Sequence, residues 1–163
     1  MTNQNSITHT LFKSLEDLLN GGNAHVSLDK ALQNIPLGLL GKKPATLPYT
    51  IWQLTEHIRI AQWDLLEFSY NRNHVSPNWP EGYWPSEKEP TSKSAWEKCI
   101  RQIKSDRKKF IELLAHAGED IYKPFNYGNG QSLLKEALVL ADHNSYHTGE
   151  IIIVRRLLND WGK

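Results

Sequence analysis

The chain has 163 residues, 39% of them hydrophobic, enough for one domain over residues 1–163 whose core needs neither disulfides nor a structural metal. Its 19 Lys and Arg against 18 Asp and Glu leave a formal charge of +1 with no block of one sign, which argues against a nucleic-acid or anionic-membrane partner. The lone Cys99 cannot form an internal disulfide, the N-terminal stretch lacks the apolar centre of a signal peptide, and no apolar run approaches the ~20 residues that span a bilayer, so a cytoplasmic protein is expected.

The first helix is expected from about Ile7 to Asn20, with Leu11, Leu15, Leu18 and Leu19 as its apolar stripe and Gly21–Gly22 as its stop. A shorter helix capped by Ser27 should close before Pro36. A second long helix opens at Thr50, where Gln53 three residues on completes a capping-box pattern. Ile51, Leu54, Ile58, Ala61, Leu65 and Phe68 then recur in steps of three and four, the seam of a helix packed on neighbours. The segment 71–93, with Pro77, Pro80, Pro85 and Pro90, is longer than most connections between helices, and loops of that length are more often functional or disordered than ordinary. A third long helix spans about Ser94 to Ala117, with Trp96, Ile100, Ile103, Phe110 and Leu114 inward. Its basic residues Arg101, Lys104, Arg107, Lys108 and Lys109 form a solvated face, and Cys99 beside the apolar line reads as an inert small hydrophobe. The fourth runs from near Ser132 to about Asn159. Together these predict an all-α, up-and-down four-helix bundle.

The last helix poses a question of chemistry. Leu133, Ala137, Leu140, Asn144, His147, Ile151, Val154 and Leu158 make one stripe, with His143 at its edge and Glu150 on the same face. Two turns of an otherwise aliphatic line are therefore polar, and burying polar groups is costly unless each is satisfied. A hydrogen-bond network across the bundle is one remedy. A metal ion is another, since histidines four apart point the same way and can reach one ion. His57 borders the seam of the second helix at a similar depth, so three imidazoles can converge if the two helices are neighbours. Three imidazoles with an open position would be a catalytic arrangement, because closed structural zinc sites use four protein ligands. His9, His25, His74 and His116 read as surface residues near helix ends or in loops.

The segments "IWQLTEHIRIAQWDLLEF" around His57 and "ADHNSYHTGEIIIVRRLL" around His143 and His147 resemble those of the DinB-like superfamily of metal-binding four-helix bundles. "AHVSLDKAL" and "VSPNWPEGYWP" look like a large bacterial branch of it, and the similarity covers about residues 25–161. The resemblance implies a divalent metal held by His57, His143 and His147, homodimers, and chemistry of the kind found in relatives that act with low-molecular-weight thiols such as bacillithiol and mycothiol. Zinc and nickel both suit imidazole ligands. An ion so held can lower the pKa of water to near 7 or hold a thiol as thiolate, giving a hydrolase or a thiol transferase. Glu150 is the first candidate for proton handling or for support of a ligand, and Asp64, seven after His57 on the same face, is the second and can instead orient an imidazole; the alternative for each is a partly exposed, solvated carboxylate. Trp79, Tyr83 and Trp84 can wall a small-molecule substrate pocket or simply cover the core. The alternative to an enzyme is a bundle that binds a metal or small ligand, or dimerises, without catalysis.

Overall fold

The computed structural model describes residues 2–21 and 24–162, with side chains along the first helix from Thr8 onward. Among these residues run six α-helices: α1 (Thr2–Asn20), α2 (Leu28–Ala31), α3 (Leu37–Leu40), α4 (Ile51–Tyr70), α5 (Lys93–Ala117) and α6 (Leu133–Leu157). Glu81–Tyr83 and Gly118–Tyr122 are 3₁₀ turns. No strand occurs among the described residues; Pro124 and Ser132 make one antiparallel bridge. The all-α expectation holds, as four long helices plus two of a single turn. The short helix expected between Ser27 and Pro36 is α2, capped by Ser27 and ended at Leu32; α3, which follows Pro36, was not expected.

Helix starts follow local chemistry. Thr50 Oγ1 accepts from Gln53 N at 3.1 Å while Gln53 Oε1 accepts from Thr50 N at 3.2 Å, so the capping box forms as its sequence pattern predicts. Ser92 and Ser132 cap α5 and α6 in the same way, each accepting from a backbone N–H three residues on. α1 closes at Gly21, whose N–H reaches the Asp17 carbonyl; Gly22, the other half of the expected stop, lies outside the described residues.

α4 packs on α5 and α6, and α1 packs on the same two. This arrangement buries two apolar clusters. One joins Leu40, Ile51, Leu54, Ile58, Ile103, Ile151 and Val154; the other joins Leu15, Leu66, Phe110, Leu114, Ala137 and Leu140. Along α4, α5 and α6 alike, the residues between the two clusters are polar and buried: Gln62, Asp106, His147 and Thr148. The bundle thus has a polar layer at its waist, and the layer positions the site.

Three expected core positions shift. Leu66 is buried where Leu65 was expected to be, since the seam of α4 turns by one residue past Ala61 to meet α5 and α6. Leu18 is 42% exposed, α1 meeting its neighbours along Leu15 and Leu19 instead. Cys99 lies on the inward line of α5 rather than beside it, and burial pushes its thiol pKa up, so it is an inert core residue.

Candidate metal centre

α4 and α6 bring His57, His143 and His147 together, with one ring nitrogen of each lying within 4.8 Å of the others. His57 and His147 are buried and His143 is half-buried. Two of the rings are fixed by what they do at Nδ1. His57 donates to the Tyr83 carbonyl at 2.9 Å, and His147 donates to Glu150 Oε2 at 2.6 Å. A carbonyl can only accept, so His57 carries its proton on Nδ1 and leaves Nε2 bare; the carboxylate imposes the same tautomer on His147. Bare Nε2 atoms backed by acceptors at Nδ1 are what a metal-ligating histidine needs.

Electrostatics favour the same state. Burial lowers the pKa of His57, assisted by His147 and opposed by the Tyr83 carbonyl. Burial also lowers that of His143, to about 4, with His147 and His57 adding to the effect. Both rings are neutral in neutral solution, the form that binds a metal. Three converging imidazoles, two of them with Nε2 bare, suit a divalent ion such as zinc or nickel, and the side chains present fit one.

A family model described as the DinB superfamily matches residues 23–151, a span that contains all three histidines. The chain belongs to the DinB superfamily. Comparison with curated proteins and with solved structures finds no match. Membership and the buried three-histidine cluster together fit a metal-binding DinB-superfamily protein.

Around the imidazoles this DinB-superfamily chain builds a shell that its helices alone would not supply. Glu150 is held at both oxygens, by His147 and by the Tyr49 hydroxyl at 2.5 Å. That bond, then burial, raises the Tyr49 pKa to about 12. Trp84 stacks on His57 with ring centroids 4.0 Å apart and planes 4° from parallel, and Tyr49 stacks on Trp84 at 5.8 Å. Tyr146, 65% exposed, presents an edge contact to His147. The loop 71–93 therefore crosses the cluster, bringing the Trp84 ring and the Tyr83 carbonyl to His57.

Asp64 does not reach the cluster. Its carboxylate accepts from His74 Nε2 at 2.7 Å and from the Tyr83 hydroxyl at 2.6 Å, so it orients an imidazole, though that of His74. His74, expected at the surface, has a side chain only 7% exposed and meets the edge of Trp63. Nothing in its loop context marked it as buried. His9, His25 and His116 are exposed as expected, although His25 Nε2 pairs with the Ser145 hydroxyl. Trp79 stays 73% exposed against Tyr83, away from the imidazoles. Trp84 is half-buried, its ring near-parallel to those of both His57 and Tyr49. A cavity of about 670 Å³ lies between Pro77, Gly82, Trp52, Trp63 and Lys98, and no imidazole of the cluster lines it. Asp142 points to solvent. Sequence reasoning missed Tyr49 and Gln62; Gln62 was visible in principle, four after Ile58 and four before Leu66 on one line of α4.

Proposed function

We propose that the protein is a metal-dependent enzyme of the thiol-transferase or hydrolase kind, with His57, His143 and His147 holding one divalent ion, zinc or nickel. The observation that carries this reading is the matched pair of Nδ1 acceptors, Tyr83 O and Glu150, which leave two Nε2 atoms bare beside a third imidazole. A divalent ion there would supply a Lewis acid that makes a thiol or water nucleophilic near neutral pH. Glu150 takes up the proton that the nucleophile releases. Its two hydrogen bonds keep it an oriented carboxylate, and the Tyr49 phenol, with its pKa near 12, donates to it rather than competing for that proton. Asp64 acts one step away, holding the Tyr83 hydroxyl and with it the loop whose carbonyl faces His57. Trp84 and Tyr83 border the substrate, an electrophilic small molecule attacked by a low-molecular-weight thiol, while Trp79 extends from the same loop. The exposed Trp79 is also the residue we assign to contact between two copies in a homodimer.

No described helix is long and apolar enough to cross a membrane. The alternative reading, a bundle that binds metal or a small ligand without catalysis, uses the same residues and predicts the same ion. Elemental analysis of tag-free protein should give about one divalent ion per chain, lost in His57→Ala and His147→Ala. The loaded protein should then accelerate either conjugation of a small thiol to an electrophile or hydrolysis of a simple ester. Metal retained in both variants defeats the three-histidine site. Metal bound with neither activity favours the non-catalytic alternative.

A further inference from the structure

His143 lacks what the other two imidazoles have. Its Nδ1 is buried without a hydrogen-bond partner, and so is Oδ1 of Asn144, the next residue. A buried acceptor without a partner has given up its hydrogen bond to water for nothing, so two of them at one site need an explanation.

The explanation begins at the backbone of α5. The Ile103 carbonyl can only accept, so the fully buried Gln62 turns its Nε2 to it, at 2.6 Å. Gln62 Oε1 is then the acceptor, and Asn144 Nδ2 donates to it at 3.1 Å. Only Oδ1 of Asn144 is left to face elsewhere, and it too can only accept. On the opposite side, His57 Nε2 is bare because its proton sits on Nδ1. His143 Nε2 lies 3.0 Å from it, so the proton in that contact belongs to His143 Nε2. His143 Nδ1 is therefore bare as well, and it and Asn144 Oδ1 are two acceptors with no proton to share. No hydrogen bond joins the two as they stand, but moving one proton from Nε2 to Nδ1 would give the pair a donor, which a small turn of either side chain would bring to its acceptor, and would bare the Nε2 of the third imidazole. The Asn144 side chain is already near enough to bear on the His143 ring, favouring a proton there.

We propose that Asn144, oriented by Gln62 and the Ile103 carbonyl, is the acceptor for His143 Nδ1–H, and that His143 changes tautomer from Nε2–H to Nδ1–H as it becomes a ligand. This rests on the three-histidine metal reading. The ring stays neutral throughout: the proton leaves Nε2 and an equivalent proton arrives on Nδ1, with no change in charge or oxidation state. Gln62 and Asn144 are positioning residues, since they act only through His143.

Long-range ¹H–¹⁵N correlation spectra of the imidazoles test this, first with a chelator present and then with Zn²⁺ alone added. The chelated protein should show His143 protonated at Nε2, with His57 and His147 protonated at Nδ1. Zinc should move His143 to Nδ1–H and leave the other two unchanged. Asn144→Leu should keep its far-UV circular dichroism and bind zinc roughly 10–100-fold more weakly in a chelator competition, the usual cost of losing such a partner. Asn144→Asp, which retains the acceptor, should bind zinc within a few-fold of the parent, and Gln62→Met should fall between the two. If Asn144→Leu does not fold, Gln62→Met and the tautomer assignments decide the matter alone. An Nδ1–H tautomer for His143 under chelation, or zinc binding indifferent to both Asn144→Leu and Gln62→Met, overturns the proposal. A parent protein that takes up no zinc defeats the metal reading instead, and the His143 tautomer under chelation still tests the amide chain.

Discussion

His147 and Glu150, one turn apart on α6, are joined by a 2.6 Å hydrogen bond from imidazole Nδ1 to carboxylate, and Tyr49 closes the other carboxylate oxygen. In the proposed site Glu150 would therefore steady a ligand as well as take up a proton. Glu150→Ala should lower zinc affinity by roughly 10–100-fold, as loss of a carboxylate behind a ligating histidine does. Glu150→Gln keeps an acceptor for Nδ1–H but loses the charge and the basicity. It should hold the ion at stoichiometric concentrations and lose most turnover. A Glu150→Gln variant with parental kcat removes Glu150 from the chemistry.

Asp64 gives a different kind of prediction. It is 7% exposed and accepts from both His74 and the Tyr83 hydroxyl, while burial, then Asp64, raises the Tyr83 pKa and keeps that phenol a donor. Tyr83→Phe leaves the carboxylate with one donor fewer and should cost about 1–3 kcal/mol in denaturant unfolding. Because the same residue offers its carbonyl to His57, backbone amides of 79–84 should also exchange faster with deuterium. Unchanged exchange in that segment would mean that the loop is held by Trp84 alone.

The bundle was legible in its sequence because period and caps agreed: Thr50 with Gln53, and a three-four seam from Ile51 onward. His57, His143 and His147 were legible for the opposite reason, as polar residues interrupting such seams. What the pattern could not show is which loop crosses the cluster. Tyr49 and Glu150 are 101 positions apart, and Trp84 reaches His57 from a proline-rich stretch with no period at all. His74 hid for the same reason, since a histidine beside an asparagine turn carries no sign of the carboxylate it will meet. Local periodicity specifies faces of helices; contacts made by irregular chain depend on tertiary packing.

Glu136 offers a test by pH. It is 6% exposed on α6, and among the described residues no cation lies within salt-bridge reach of it. Burial raises its pKa, with Lys135 opposing and Asp64 adding. A carboxylate whose folded pKa lies above its unfolded value contributes stability below the unfolded value, near 4.3, and loses it as pH rises through the folded one. Glu136→Gln should therefore raise Tm at pH 7 and give no gain near pH 4. A gain that is the same at both pH values would trace to packing and not to the buried charge.

Trp84 is the only tryptophan among the described residues with a ring contact to the histidine cluster, parallel to His57 at 4.0 Å and edge-on to His147 at 6.2 Å. Trp52 and Trp96 pair with each other in the apolar cluster that Trp84 also borders, and neither makes a ring contact with the imidazoles. Ni²⁺ or Cu²⁺ held by the imidazoles would sit close enough to Trp84 to quench its emission, while the remaining tryptophans are reached less efficiently. Titration with either metal should thus remove a fraction of the fluorescence that saturates near one ion per chain. Trp84→Phe should preserve that stoichiometry and abolish most of the quenching. It should also destabilise the protein only modestly, since Phe keeps an aromatic face for the His57 and Tyr49 stack, an arrangement worth about 0.5–1.5 kcal/mol. Quenching of the same amplitude in Trp84→Phe would place the bound ion nearer another tryptophan and away from His57.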